Sequence, residues 1–306
     1  MKIATTVIGS YPYARMTPEE AIVRAVDEQV EAGVDVISDG QVRADMVGIF
    51  VHALPGFDVQ GRKYNVVGRI GSADKAISIA DLVIARDRAA GRAKVKGTLT
   101  GPTTLAHCAI LQAGAPYKPH DMPKGSQSMV VDRELVMDLA HAMAQEAKFL
   151  TEAGFDTIQV DEPFFSMPDL DLDLGLEALG VVTKEIKTSA LHVCGDITGA
   201  MRQLIDAPVD IIACEGGHMA RIDWLTPAIL AEKKKQICWG VITVNTNEVE
   251  DVAEVKQRIM TGVEKLGAQN ILVSPDCGMR VRKPEAAKQK LVNMVAAARE
   301  VERELA

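Results

Sequence analysis

The sequence predicts an α/β fold: a parallel sheet closed into a (β/α)₈ TIM barrel. Three observations carry that expectation. Short apolar runs alternate eight times with amphipathic stretches of helical period across the 306 residues, with no linker composition between units. Eight such units in about 300 residues match the length of a barrel. The distinctive motifs fall at the C-terminal ends of the apolar runs, the end at which parallel barrels build their sites. A doubly wound open sheet is the alternative, but no glycine-rich phosphate loop of the expected spacing follows the first run. One domain spanning 1–306 is expected.

The elements follow in order. Ile3 to Ile8 reads as the first strand and ends at Gly9-Ser10-Tyr11-Pro12. Thr17-Pro18-Glu19-Glu20 opens a helix with a cap, a proline suited to the first turn and a capping-box glutamate. That helix runs through Ala32, and Gly33 closes it before a second strand, Val34 to Ser38. The stretch from Pro55 to Ile70 reads as a small hairpin excursion. A helix over Ala73 to Ala90 precedes the third strand, Lys94 to Leu99, and the loop Thr100-Gly101-Pro102. Gly114 to Gly125 has loop composition, and a long helix covers Asp132 to Ala153. The fourth strand, Thr157 to Val160, ends at Asp161-Glu162-Pro163, and a helix near Leu174 to Lys187 leads into the fifth. Later strands are expected at Val209 to Ala213, Ile237 to Val244 and Asn270 to Val273. Helices run from Val249 to Leu266 and onward from Pro284.

The totals exclude several classes. A net charge of −8 leaves no basic footprint for nucleic acid or an anionic membrane. No run approaches a membrane span, and the N-terminal apolar stretch is too short for a signal peptide. Five cysteines in so long a chain do not form a disulfide framework. A reducing cytoplasm, with thiols free for metal, is expected.

The chemistry concentrates in three strand ends. Leu191-His192-Val193-Cys194-Gly195-Asp196 holds a histidine and a cysteine two residues apart. Ile211-Ile212-Ala213-Cys214-Glu215 and Ser274-Pro275-Asp276-Cys277-Gly278 each end in a further donor. His192, Cys194, Glu215 and Cys277 thus offer one imidazole, one carboxylate and two thiolates, a set suited to Zn²⁺. Taken singly, each cysteine reads as a small core residue and His192 as a satisfied buried histidine. Their shared position at strand ends, which a barrel would bring to one mouth, favours a metal site.

With these motifs in hand, the chain resembles the catalytic domain of cobalamin-independent methionine synthase, above all the short single-domain enzymes of archaeal type. The resemblance covers essentially the whole chain. It runs through Ile8-Gly9-Ser10-Tyr11-Pro12, Asp39-Gly40-Gln41, Asp45-Met46-Val47, Thr100-Gly101-Pro102, Asp161-Glu162-Pro163, His192-Val193-Cys194, Glu215 and Pro275-Asp276-Cys277-Gly278. It implies a barrel similar to those of methionine synthase and uroporphyrinogen decarboxylase, and a zinc ion on His192, Cys194, Glu215 and Cys277. It also implies contacts of Ile8, Gly9, Ser10 and Asp161 with the amino acid end of homocysteine or methionine. Gln41 stands where the long enzymes place a glutamate that meets the substrate ammonium. The nucleophile is then the zinc-bound substrate thiolate, and no side chain is singled out as a catalytic acid or base. Two thiolates and a carboxylate leave the metal electron-rich, which suits alkyl transfer to sulfur better than water activation.

The departures bear on the methyl donor. Asn245 occupies the position of the family's proton-donor histidine, and Cys108 and Met167 replace a tryptophan and a glutamate of the folate site. The half that precedes this domain in the long enzymes has no counterpart here. Displacing methyl from a folate nitrogen needs a general acid, whereas a methylcorrinoid releases a leaving group that needs no proton. Methylcobalamin or a methylated corrinoid protein is therefore the expected donor, a substrate rather than a resident cofactor. The rivals are transfer to another thiol such as coenzyme M, a folate-dependent methionine synthase, a metal-free decarboxylase and a non-enzymatic zinc or thiol binder. Of the remaining titratable residues, Glu162 reads as structural, Cys214 as a buried thiol turned away from the mouth, and His107 and His218 as solvated loop residues. Arg280 and Arg282 fit an anionic substrate group or a helix end equally.

Overall fold

A closed ring of eight parallel strands forms the centre of the protein. The computed structural model describes residues 1–13, 16–118 and 132–306. Strands β1 (Val36–Ile37), β2 (Phe57–Gln60), β3 (Lys63–Val66), β4 (Lys94–Val95), β5 (Gly97–Thr100) and β6 (Ala109–Leu111) lie in the first half of the chain. Strands β7 (Thr157–Asp161), β8 (Thr188–His192), β9 (Ile211–Glu215), β10 (Gln236–Ile242) and β11 (Ile271–Pro275) follow. β5, β7, β8, β9, β10 and β11 pair in that order. The first strand, reduced to bridges from Thr5 to Val273 and from Thr6 to Val36, joins β11 to β1. β1 pairs with β4, and β4 and β5 are two parts of one barrel strand, so the ring closes.

Closure is reinforced at the N-terminal end of the strands. The Asp35 carboxylate accepts hydrogen bonds from Thr5 N (2.9 Å), Thr5 Oγ1 (2.8 Å) and Arg299 Nη2 (2.8 Å), and meets Lys2 Nζ at 2.7 Å. Burial opposes the charge, but these partners hold the Asp35 carboxyl well below the ordinary carboxylate range.

The helices that cover the ring include α1 (Pro18–Glu31), α2 (Gly48–Val51), α3 (Ile79–Ala89) and α4 (Pro102–Cys108). After them come α5 (Arg133–Glu152), α6 (Leu172–Thr183), α7 (Met201–Leu204), α8 (Gly216–Met219), α9 (Pro227–Lys233), α10 (Val252–Leu266) and α11 (Pro284–Glu304). Prolines open α1 and α11 as the sequence implies. Gly33 ends α1 with φ +82°, a conformation only glycine adopts without strain. The expected capping box is partial, because the Thr17 hydroxyl bonds the Glu20 carboxylate (2.6 Å) and not the backbone. Helix α3 starts six residues later than its pattern implied. The loop expected over 114–125 falls largely outside the described residues. The excursion after β1 is a β2–β3 hairpin, and β6 adds to it in parallel.

Alternation along the strands separates two cores. Ile8, Ala190, Ile211, Ala213 and Cys238 form a small apolar cluster inside the ring. The opposite strand faces, with Leu191, Ile212, Cys214 and Trp239, join the large core beneath the helices. His192 follows the inward parity of Ala190, and Glu215 that of Ala213. Both therefore emerge at the mouth.

Candidate metal and substrate site

The end of β8 delivers His192 into the mouth, and the turn beyond it brings Cys194 back alongside. His192 is 2% exposed. Its Nδ1 stands 3.2 Å from the Ala213 carbonyl oxygen, which can only accept. The proton therefore sits on Nδ1, and the Nε2 lone pair faces the thiols. Nε2 lies 3.0 Å from Cys194 Sγ, which lies 2.8 Å from Cys277 Sγ at the end of β11. These three donor atoms all fall within 4.8 Å of one another. The hydrogen bond from the Cys194 thiol favours a Cys277 thiolate and holds its pKa low, with His192 nearby adding to the effect, while Cys194 is pushed up by Cys277 beside it. Burial opposes a charged His192, yet Cys277 and Asp161 hold it above its usual value. One imidazole and two thiols, one already drawn towards the thiolate, fit a zinc ion by donor chemistry.

Glu215 sits one step outside this group. Gly195, in the left-handed region at φ +82°, turns its N–H to Glu215 Oε1 at 3.0 Å. Oε2 lies 3.2 Å from His218 Nε2. The carboxylate thus adjoins Cys194 through the backbone while its second oxygen faces His218. The histidine is not a solvated loop residue as expected. It lies in α8, with Nδ1 3.5 Å from Asp196 and also against Arg221.

A cavity of about 240 Å³ opens over the cluster, lined by Ile8, Ser10, Gln41, Asp161, His192, Cys194 and Cys277. The structure thus brings together the expected substrate residues and three of the four expected ligands. Gly9 does not line it but permits it, since a Cβ there would stand 2.7 Å from Gln41 Oε1. Gln41 is 5% exposed, adopts φ +45°, and its Nε2 is buried without a hydrogen-bond partner. Asp161 is 4% exposed; burial raises its pKa to about 6, with His192, Gln159 and Lys96 pulling the other way. A larger cavity of about 320 Å³, beside Arg258 and Asp276, contains none of the cluster's donor atoms.

Sequence reasoning left out Asp45, Met46 and Pro163 as lining residues, although each lies in a motif already singled out. Arg280 also lines the cavity, anchored by Nη2 to the carbonyls of Gln41 and Ala44. Glu162 is structural, as expected. Fully buried, it accepts hydrogen bonds from Thr103 N (2.9 Å), Thr104 N (2.8 Å) and Thr104 Oγ1 (2.6 Å), which caps α4. Cys214 is buried and faces the outer core. His107, expected as a solvated loop residue, instead lies half-buried in α4, stacks on Phe164 at 5.1 Å and brings its Nδ1 to the Thr103 carbonyl oxygen. Asn245 is exposed in the turn after β10, and Met167 is exposed after β7.

Residues 13–300 match the family model described as cobalamin-independent synthase, catalytic domain. The methionine synthase of Methanothermobacter marburgensis is 36% identical, over 97% of this chain and 99% of its own length. That of Methanocaldococcus jannaschii is 33% identical, over 96% and 97%. Among solved structures, a B12-independent methionine synthase from Shewanella sp. W3-18-1 in complex with selenomethionine superposes with a TM-score of 0.80. It is 23% identical and covers 100% of this chain and 99% of that one, a likeness of fold. By the span of the family match and the identity to these archaeal relatives, the chain belongs to the cobalamin-independent methionine synthase family.

Proposed function

We propose that this chain, as one barrel domain over 1–306, is a zinc-dependent methyltransferase. In this reading it moves a methyl group from a methylcorrinoid to the thiol of homocysteine, giving methionine. The observation that carries the reading is the convergence of His192, Cys194 and Cys277 in one cavity with Asp161, Ser10 and Gln41. His192, Cys194 and Cys277 would hold the metal, with Glu215 the fourth ligand and the one most easily exchanged for substrate sulfur. Bound zinc would supply a deprotonated, nucleophilic acceptor thiol at neutral pH. The chain's own residues do the rest. Asp161 and the Ile8 carbonyl accept from the substrate ammonium, and Ser10 and Gln41 border the same end of the cavity. A reducing compartment such as the cytoplasm would keep the two ligand thiols free.

The donor reading rests on leaving-group chemistry. Asn245 cannot protonate a folate nitrogen, and a methylcorrinoid, free or carried on a partner protein, needs no such proton. In this reading the corrinoid is a co-substrate and is not held by the chain. One observation favours a second acceptor: Gln41 carries no charge and Arg280 lines the cavity. A thiol with an acid group and no ammonium, such as coenzyme M, would suit that pair. The test is methionine formation by zinc-loaded protein from homocysteine, with methylcobalamin and methyltetrahydrofolate compared side by side. Turnover with methylcobalamin alone is expected. Turnover with folate overturns the donor, and coenzyme M outcompeting homocysteine overturns the acceptor.

A further inference from the structure

Beneath the cavity, inside a ring otherwise filled by Ala190, Ile211, Ala213 and Cys238, lies a buried lysine. Lys96, between β4 and β5, is 3% exposed, and Gln159 on β7 is 1% exposed. Enclosing an ammonium in an apolar interior is unfavourable unless its donors are engaged. Lys96 Nζ donates to the Val7 carbonyl oxygen and to Gln159 Oε1. An ammonium has donors only, so the Gln159 oxygen must face Lys96 and its nitrogen must point towards the mouth. Gln159 Nε2 then donates to the Ile8 carbonyl oxygen at 2.9 Å and to Asp161 Oδ1 at 2.6 Å. Both amide hydrogens are used, each on an acceptor of a residue that lines the cavity.

We propose that Lys96 and Gln159 are positioning residues for the acceptor's ammonium group. Lys96 fixes the orientation of the Gln159 amide. The amide in turn holds the Ile8 carbonyl and the Asp161 carboxylate together, so that Asp161 Oδ2 and the second Ile8 lone pair converge on one cationic group. The proposal rests on the reading of Asp161 as the ammonium partner. A buried pair replaced by apolar groups of similar volume is commonly tolerated for stability, so a merely structural pair would be replaceable without cost to recognition.

The test is calorimetric binding of two thiols to zinc-loaded protein: homocysteine, and 4-mercaptobutanoate, which lacks only the ammonium. The variants are Gln159→Met, the double variant Lys96→Met/Gln159→Met, and Asp161→Asn. Gln159→Met keeps Lys96 bonded to Val7, and the double variant removes the unpaired charge should the single one fail to fold. All three are expected to weaken homocysteine by about tenfold or more, the scale of a hydrogen bond to a charged group. 4-Mercaptobutanoate should change by less than about threefold. If Asp161→Asn is selective against homocysteine while both Gln159 variants weaken the two thiols equally or not at all, the positioning role is wrong and the Asp161 reading stands. If Asp161→Asn shows no selectivity, that reading falls and the positioning role falls with it.

Discussion

Gly101, in the Thr-Gly-Pro loop after β5, is expected to tolerate no side chain. A Cβ there would stand 2.1 Å from Glu162 Cδ, 2.2 Å from Oε1 and 2.3 Å from Cγ, where ordinary contact begins near 3.4 Å. The Glu162 side chain as a whole would have to move by more than an ångström. It is fully buried and cannot leave without releasing Thr103 N–H, Thr104 N–H and the Thr104 hydroxyl. At about 1–1.5 kcal/mol for each lost bond, Gly101→Ala should cost roughly 3–5 kcal/mol. Urea unfolding followed by two probes measures the loss. A double-mutant cycle isolates its cause: Glu162→Ala alone should be similarly destabilising, and Gly101→Ala added to it should cost less than about 1 kcal/mol more. Burial pushes the Glu162 carboxyl up to about 7. Because this folded-state value lies above the unfolded one, the carboxyl's contribution is complete below the ordinary carboxylate range and fades as pH rises through about 7. The gap between wild type and Glu162→Ala should accordingly shrink from about pH 4 to pH 7 and level off above that. Additive costs in the cycle, or a loss below about 1 kcal/mol for Gly101→Ala, would refute the reasoning.

Two further outcomes are expected. Asp35→Asn should destabilise the ring by about 1–2 kcal/mol at neutral pH, since three hydrogen bonds and two cations lose their carboxylate. The Asp35 pKa is depressed in the fold, so this stabilisation is complete above about pH 4 and is lost as pH falls below it. Denaturant melts of wild type and variant should therefore converge in acid; a constant gap would count against the assignment. Cys277→Ser should lower bound zinc from one equivalent to below about half in elemental analysis after dialysis, and chelation of wild type should abolish methyl transfer. Full zinc retention in the serine variant would exclude Cys277 as a ligand.

The later strands were legible in the sequence because they end in chemistry. The runs before His192, Glu215 and Cys277 are short and mainly apolar, their strand ends placed His192 and Glu215 at the mouth, and alternation turned Cys214 away from it. The first strand was legible as a run, but its pairing in the ring narrows to Thr5 and Thr6, which bridge Val273 and Val36. The short helices α2, α4, α7, α8 and α9 were missed. α2, α7 and α8, of four residues each, are too brief to show a period, whereas Thr226-Pro227 repeats the opening signature of α1 and could have revealed α9. Lys96 and Gln159 carry inward parity with Thr98 and Asp161, yet nothing local says that a lysine will be enclosed. Only closure of the ring determines that. The tie between Glu215 and His218 was likewise invisible, because a four-residue helix sets it.

The ring divides its labour between halves. His192, Cys194, Glu215 and Cys277 all come from the contiguous strands β8 to β11, whereas Ile8, Ser10, Gln41, Asp45 and Met46 come from the first quarter of the chain. In the proposed reading the cavity is the seam between a metal-holding arc and an acceptor-reading arc, the latter joined by Asp161 on β7. The seam is stitched where Met279 N donates to the Ser10 carbonyl oxygen at 2.8 Å and Ser10 Oγ occupies the space that a side chain at Gly278 would need. In that reading the thiol chemistry can stay fixed while substitutions in the first arc and at Asp161 exchange one acceptor for another, provided residue 278 remains a glycine.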